Sequence, residues 1–244
     1  MSHQLLSDAK FYEGYSRINS LTGNYETWDD AVTRVMNMHR QYYTDKLSPA
    51  LNTLIEFSEN KYKEKLMLGA QRALQFGGAQ LLKHQIRMYN CVSSYVDRTA
   101  FFGECMYMLL CGAGAGFSVQ KHHIIKLPTV TKRSNDTVVY AIPDSIEGWA
   151  DAVQVLLSSY FTKDQVFPEF FNKKIVFDYS LIRPKGAFIS GGFKAPGPDP
   201  LRQALERIET LLNSIVLDGP IKLRPIQAYD IVMHISDAVI SGGK

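Results

Sequence analysis

Cysteine is scarce in this chain: three occur in 244 residues, at positions 91, 105 and 111, with no CxxC pair and no zinc-ligand spacing. An odd count speaks against a secreted disulfide scaffold and suits a reducing compartment, so a cytoplasmic protein is expected. Long apolar runs are absent too. No ~18 consecutive apolar residues occur, and the opening MSHQLLSDAKFYEGYSR has no charged region followed by an unbroken apolar core. Neither a membrane span nor a signal peptide is expected. Excess charge is also missing, since 27 basic and 24 acidic residues leave only +3, without a dense run. That is too little for a phosphate-backbone footprint, so direct nucleic-acid binding is not expected. Internal repeats and low-complexity tracts are lacking as well.

What remains is an ordinary globular composition, 45% apolar and 21% charged, in a chain long enough to bury roughly 70–75% of its extended surface. The first third reads helical. Thr27 and Asp30 form a capping-box pattern ahead of Trp28, Ala31, Val32, Val35 and Met38, which predicts a helix to about Lys46. Ser48-Pro49 restarts the pattern as N-cap and first helical residue.

From Leu74 the texture changes. Gly77-Gly78 interrupts the helical signal, and Met88 to Val96 reads as a strand centred near Cys91. Asp97 is the candidate N-cap of an apolar helix from Ala100 to Cys111, closed by Gly112. Gly116 to Gln120, Thr137 to Ile142 and Lys174 to Ile182 read as strands. Ser145 caps a helix from Ile146 to Phe161, and two amphipathic helices, about Pro200 to Val216 and Pro225 to Ile240, finish the chain. Helices first, then strands alternating with helices, imply an α/β sheet or barrel on a helical lead-in.

Several constellations invite a chemical reading. CGAGAGFSV carries spaced glycines, but they follow a helix and enter a strand, the reverse of the dinucleotide fingerprint. His122 and His123, if on a strand, point to opposite faces, and no third ligand stands at a recognised spacing. Cys105 and Cys111 lie about 240° apart around a helix and read as core filler. Cys91 is open to two readings, a buried filler or a redox thiol. Arg183 and Lys185 lead into a loop with four glycines that either wraps phosphates or is simply exposed and basic.

In order along the chain, RALQFGGAQLLKHQIRMYNC, LLCGAGAGFSVQ, YAIPDSIEGWADAVQVLL, FDYSLIRPKGAFISGGFKAPGPDPL and LRPIQAYDIVMHISDAVISGGK resemble the catalytic chain of ribonucleotide reductases, and most closely the adenosylcobalamin-dependent (class II) branch. The resemblance implies a helical N-terminal region, residues 1–73, followed over 74–244 by the first half of a ten-stranded α/β barrel, with an insertion at about 121–178. It also implies that Cys91 is the first of two cysteines that reduce the ribose and become a disulfide, with Asn90 contacting substrate. By the same comparison Asp97 and Arg183 match positions that hold a deoxynucleotide effector, carboxylate near its ribose and guanidinium on its phosphates; Lys185 is added from the local sequence. Adenosylcobalamin would supply the radical chemistry, and a thioredoxin-type reductant would renew the thiols.

The family's radical cysteine and second reducing cysteine have no counterpart here, so the sequence is expected to be an N-terminal part that needs a C-terminal remainder, in the same or a separate chain. Its GGK ending suggests an interrupted gene, and alone it should be inactive and prone to associate. The alternative from another class is a stand-alone deoxynucleotide-binding regulatory module.

Overall fold

The structure, a computed structural model, describes residues 3–19, 22–187, 189 and 194–240. These divide into two compact units, one built on the chain up to Asn90 and the other on the chain from Cys91.

The first unit is helical: α1 (His3–Gly14), α2 (Trp28–Tyr42), α3 (Pro49–Lys63), α4 (Gln71–Phe76) and α5 (Ala79–Lys83), with 3₁₀ turns at Thr44–Lys46 and Gln85–Met88. The expected start of α2 is observed. Thr27 Oγ1 accepts from the Asp30 amide at 3.2 Å, and Asp30 Oδ2 accepts from the Thr27 amide at 2.9 Å, a reciprocal box that satisfies two otherwise unpaired donors. α2 stops at Tyr42, and a 3₁₀ turn replaces the extension expected to Lys46. Ser48 Oγ caps α3 through the Leu51 amide, with Pro49 in the first turn. α2 packs on α3, α4 and α5 around Ala31, Val32, Val35, Ile55, Tyr62 and Leu74.

The second unit holds two parallel strand pairs, each joined through a helix. β1 (Cys91–Tyr95), α6 (Phe101–Leu110) and β2 (Gly114–Ser118) form the first; after α7 (Lys121–Ile124), β3 (Thr137–Ala141), α8 (Ile146–Ser158) and β4 (Lys174–Asp178) form the second. α9 (Asp199–Ile215) and α10 (Pro225–Ile240) complete it. α6 packs against α8 and α10, and α10 against α9. Phe101, Phe102, Cys105, Met106, Leu156 and Leu157 lie in the core between them, each large side chain contributing about 2 kcal/mol by leaving water.

α6 closes as its glycine suggests. Gly112, at φ +86, donates to Leu109 O and Ala113 donates to Met108 O, the paired bonds of a Schellman turn that favour glycine at this position. Ser145 caps α8 through the Gly148 amide at 2.9 Å.

Further expectations need correcting, among them the end of α8, which stops at Ser158 rather than Phe161. The strand expected from Met88 begins only at Cys91, because Gln85–Met88 forms a 3₁₀ turn. β2 lies at Gly114–Ser118 rather than Gly116–Gln120, since pairing with β1 fixes its register. β4 ends at Asp178, whose Oδ1 accepts from the Ser180 amide and turns the chain. Asp97 caps nothing: α6 starts at Phe101, preceded by Ala100 in helical conformation.

Candidate functional site

β1 sorts its residues by alternation: Cys91, Ser93 and Tyr95 face outward, while Val92 and Ser94 are half-buried. α6 packs on this pair. Cys91 is exposed, whereas Cys105 and Cys111 are buried. Burial pushes the Cys105 thiol up to about 11, which keeps it protonated and unreactive at neutral pH. The burial expected of core filler thus holds for Cys105 and Cys111 and not for Cys91.

Asn90 immediately precedes it and is tied to the first unit. Arg72 of α4 donates from Nε to Asn90 Oδ1 at 2.6 Å. The Arg72 guanidinium stands 5.4 Å from the Phe76 ring centroid, and that of Arg87 stands 5.2 Å from the same ring. α4 is itself held at its C-terminus, where the last carbonyls of a helix lack partners. Arg17 donates to Gln75 O at 2.7 Å and Gly77 O at 2.9 Å; Arg34 donates to Leu74 O and Gly77 O, both at 3.0 Å. Glu26 grips Arg34 with both oxygens, at 2.8 and 2.9 Å. Burial, and then the neighbouring Arg34, push Arg17 down to about 10. Gly77 makes the turn possible, because a β-carbon there would stand 2.3 Å from Ala73 O.

Asp97, just beyond β1, accepts from Arg98 at 3.0 Å and from Lys126 at 3.5 Å. Partial burial raises its pKa, but these two cations outweigh that and hold the carboxyl below its ordinary range. His122 and His123 sit on α7, not on a strand, with ring centroids 3.9 Å apart. The His123 ring also lies against Tyr95, tilted by 31° with centroids 4.5 Å apart. Its Nδ1 is buried without a hydrogen bond among the described residues. Desolvation first, then His122 and Lys126, hold His123 below the usual imidazole value.

Arg183 donates from Nε to Asp144 Oδ2 at 2.7 Å and is half-exposed. Lys185 is exposed, and its backbone lies against Gly197, where a β-carbon would stand 2.9 Å from Lys185 N. Of the four loop glycines, Gly186 and Gly197 adopt positive φ; Gly191 and Gly192 lie outside the described residues. Asp97 and Arg183 share no partner, so the described contacts do not join them into one cluster. Sequence reasoning missed Arg72, Asp144 and the Tyr95–His123 ring contact. None stands at a spacing that signals a contact.

Among the described residues, no group of three or more His, Cys, Asp or Glu side chains could hold a metal ion. No described helix is long and apolar enough to cross a membrane.

The family model described as "B12-dependent ribonucleotide reductase, insertion domain" matches residues 118–212. The chain is 26% identical to a probable adenosylcobalamin-dependent ribonucleoside-triphosphate reductase of Dictyostelium discoideum, over 98% of this chain and 34% of that protein. It is 27% identical to the adenosylcobalamin-dependent ribonucleoside-triphosphate reductase of Lactobacillus delbrueckii subsp. bulgaricus, over 93% of this chain and 38% of that one. A putative enzyme of the same name from Mycobacterium phage D29 is 24% identical over 94% of this chain. The chain thus spans about a third of the length of these relatives, between 34% and 38%. A crystal structure of a B12-dependent (class II) ribonucleotide reductase superposes with a TM-score of 0.78 at 25% identity, covering 95% of this chain and 40% of that one.

Proposed function

We propose, for a chain that is related to the N-terminal part of the adenosylcobalamin-dependent, class II ribonucleotide reductases, that it forms part of a catalytic chain converting ribonucleotides to 2′-deoxyribonucleotides. The observation that carries the reading is Cys91, an exposed thiol at the head of β1 directly after Asn90, in a protein whose other two cysteines are buried.

Cys91 is one of two thiols that reduce the ribose. The 2′ hydroxyl leaves as water, the two thiols give up two electrons and two protons, and one disulfide forms. Exchange of that kind needs an accessible sulfur and a partner within bonding reach. Cys105 and Cys111, both packed in the core, are unsuited to be that partner, so the second cysteine comes from the remainder of the reductase. For the same reason the isolated chain is inactive. A thioredoxin-type protein returns the pair to thiols, and a reducing, cytoplasmic setting suits the exposed Cys91.

Asn90 contacts the ribonucleotide. Asp97 and Arg183, with Lys185 beside the latter, hold a deoxynucleotide effector. The half-exposed Arg183 supports this, because among the described residues it is Nε that is committed, to Asp144, and the rest of the fork can meet phosphate oxygens. In this reading residues from 74 onward are the first half of the reductase barrel, with an insertion at about 121–178.

Adenosylcobalamin supplies radical chemistry when bound. Its contacts belong chiefly to the remainder of the enzyme. The relatives are named reductases, which does not favour a stand-alone regulatory module.

The test is Cys91→Ser in the complete reductase containing these residues. Turnover with a thioredoxin-type reductant should fall to background while the variant stays folded. Turnover near the parent's rate would refute the role given to Cys91.

A further inference from the structure

The tie between Arg72 and Asn90 fixes more than a position. An asparagine amide can face a partner with either end, but a guanidinium carries five N–H donors and accepts nothing. The 2.6 Å contact from Arg72 Nε therefore takes the amide oxygen, and the two Nδ2 hydrogens are turned the other way. Asn90 is exposed, so those donors stand where a ligand can reach them.

Arg72 is well placed to hold that orientation. Its guanidinium lies 5.4 Å from the centroid of the Phe76 ring one helical turn on, a cation–π contact that narrows its rotamers. The short helix carrying both is anchored by the carbonyl contacts of Arg17 and Arg34, and Arg34 by both oxygens of Glu26. A continuous line of support, Glu26 to Arg34 to α4 to Arg72 to Asn90, lies within the first unit. Supported side chains of this kind are how a binding group is kept in one geometry.

We infer that Arg72 is a positioning residue that presents the Asn90 Nδ2 donors to an acceptor oxygen of the bound ribonucleotide. This rests on the reading of Asn90 as a substrate contact. Arg72 itself does not touch the nucleotide. The pairing also explains why asparagine is suited to position 90: an aspartate would keep the tie to Arg72 but offer an acceptor where a donor is needed.

The test has two parts. In the purified, isotope-labelled chain, the Asn90 side-chain amide is followed by NMR, assigned by its loss in Asn90→Asp. Arg72→Ala should shift and average that signal while amides of α9 and α10 stay put, and Arg72→Lys, still a donor, should restore it in part. In the complete reductase, Arg72→Ala should raise KM for the ribonucleoside triphosphate about tenfold, the loss of one donor contact, with kcat changed less than about twofold, and Asn90→Asp should raise KM at least as much. An Asn90 signal and KM unchanged in Arg72→Ala would overturn the inference. A changed signal with unchanged KM in both variants would instead overturn the substrate role of Asn90, and with it the presentation to nucleotide.

Discussion

Cys91 and Gly114 lie opposite one another in register at the start of the parallel β1–β2 pair. The residue beside the exposed thiol therefore has no side chain to cover it. Gly114→Val should place a branched group next to the sulfur, since paired residues of adjacent strands are roughly 5 Å apart. Alkylation of Cys91 by iodoacetamide should slow several-fold with the thermal midpoint nearly unchanged. In the parent protein one thiol should react rapidly, and all three should react after unfolding, which mass spectrometry counts directly.

Gly103 of α6 faces α8 closely. A β-carbon there would stand 2.5 Å from Gln154 Cγ and 2.7 Å from its Nε2. Gln154 is buried and donates to Ala100 O at 2.8 Å and Thr99 O at 3.2 Å, so it cannot swing aside without losing both bonds. Gly103→Ala should destabilise the second unit by about 2 kcal/mol, measured by denaturant unfolding.

Arg34 is the hub of the first unit, joined to Glu26 and to the carbonyls ending α4. Arg34→Ala strands Glu26, whose side chain is largely buried, and should cost about 3 kcal/mol. A double variant, Arg34→Met with Glu26→Leu, should recover part of that loss, because Glu26 no longer stands unpaired, although Leu74 O and Gly77 O still lose a donor. Circular dichroism melts of the three proteins check it.

The Thr27–Asp30 box predicts a pH dependence. Hydrogen bonds from the Thr27 side chain and then its backbone hold the Asp30 carboxyl below its ordinary 3.8. A carboxyl depressed in the folded state stabilises fully above its unfolded value and loses that contribution as pH falls through the folded value. Thr27→Ala should therefore cost about 1 kcal/mol at neutral pH. The gap between variant and parent should narrow below roughly pH 4, as equilibrium unfolding across pH would show.

Which of these features could be read in advance follows from their range. The caps at Thr27, Ser48 and Ser145, the Schellman glycine at 112 and the bounds of α10 depend on residues within about five positions of one another, and all are observed where expected. Asp97 has the local pattern of a cap but does not act as one, and its partners include Lys126, 29 residues on. His122 and His123 have no local pattern that separates a strand from a single helical turn. Arg72 meets Asn90 across 18 residues and Arg183 meets Asp144 across 39, contacts that only chain reversal creates. For Cys91, both a buried filler and a redox thiol fit the sequence; its exposure on β1 excludes the buried filler.

The most direct measurement is disulfide mapping of the complete reductase after a single turnover with a ribonucleoside triphosphate and no external reductant. The account predicts that the Cys91 peptide is recovered linked to a cysteine outside residues 1–244, in proportion to the deoxynucleotide formed. Product formation with Cys91 still free and fully alkylatable would contradict it.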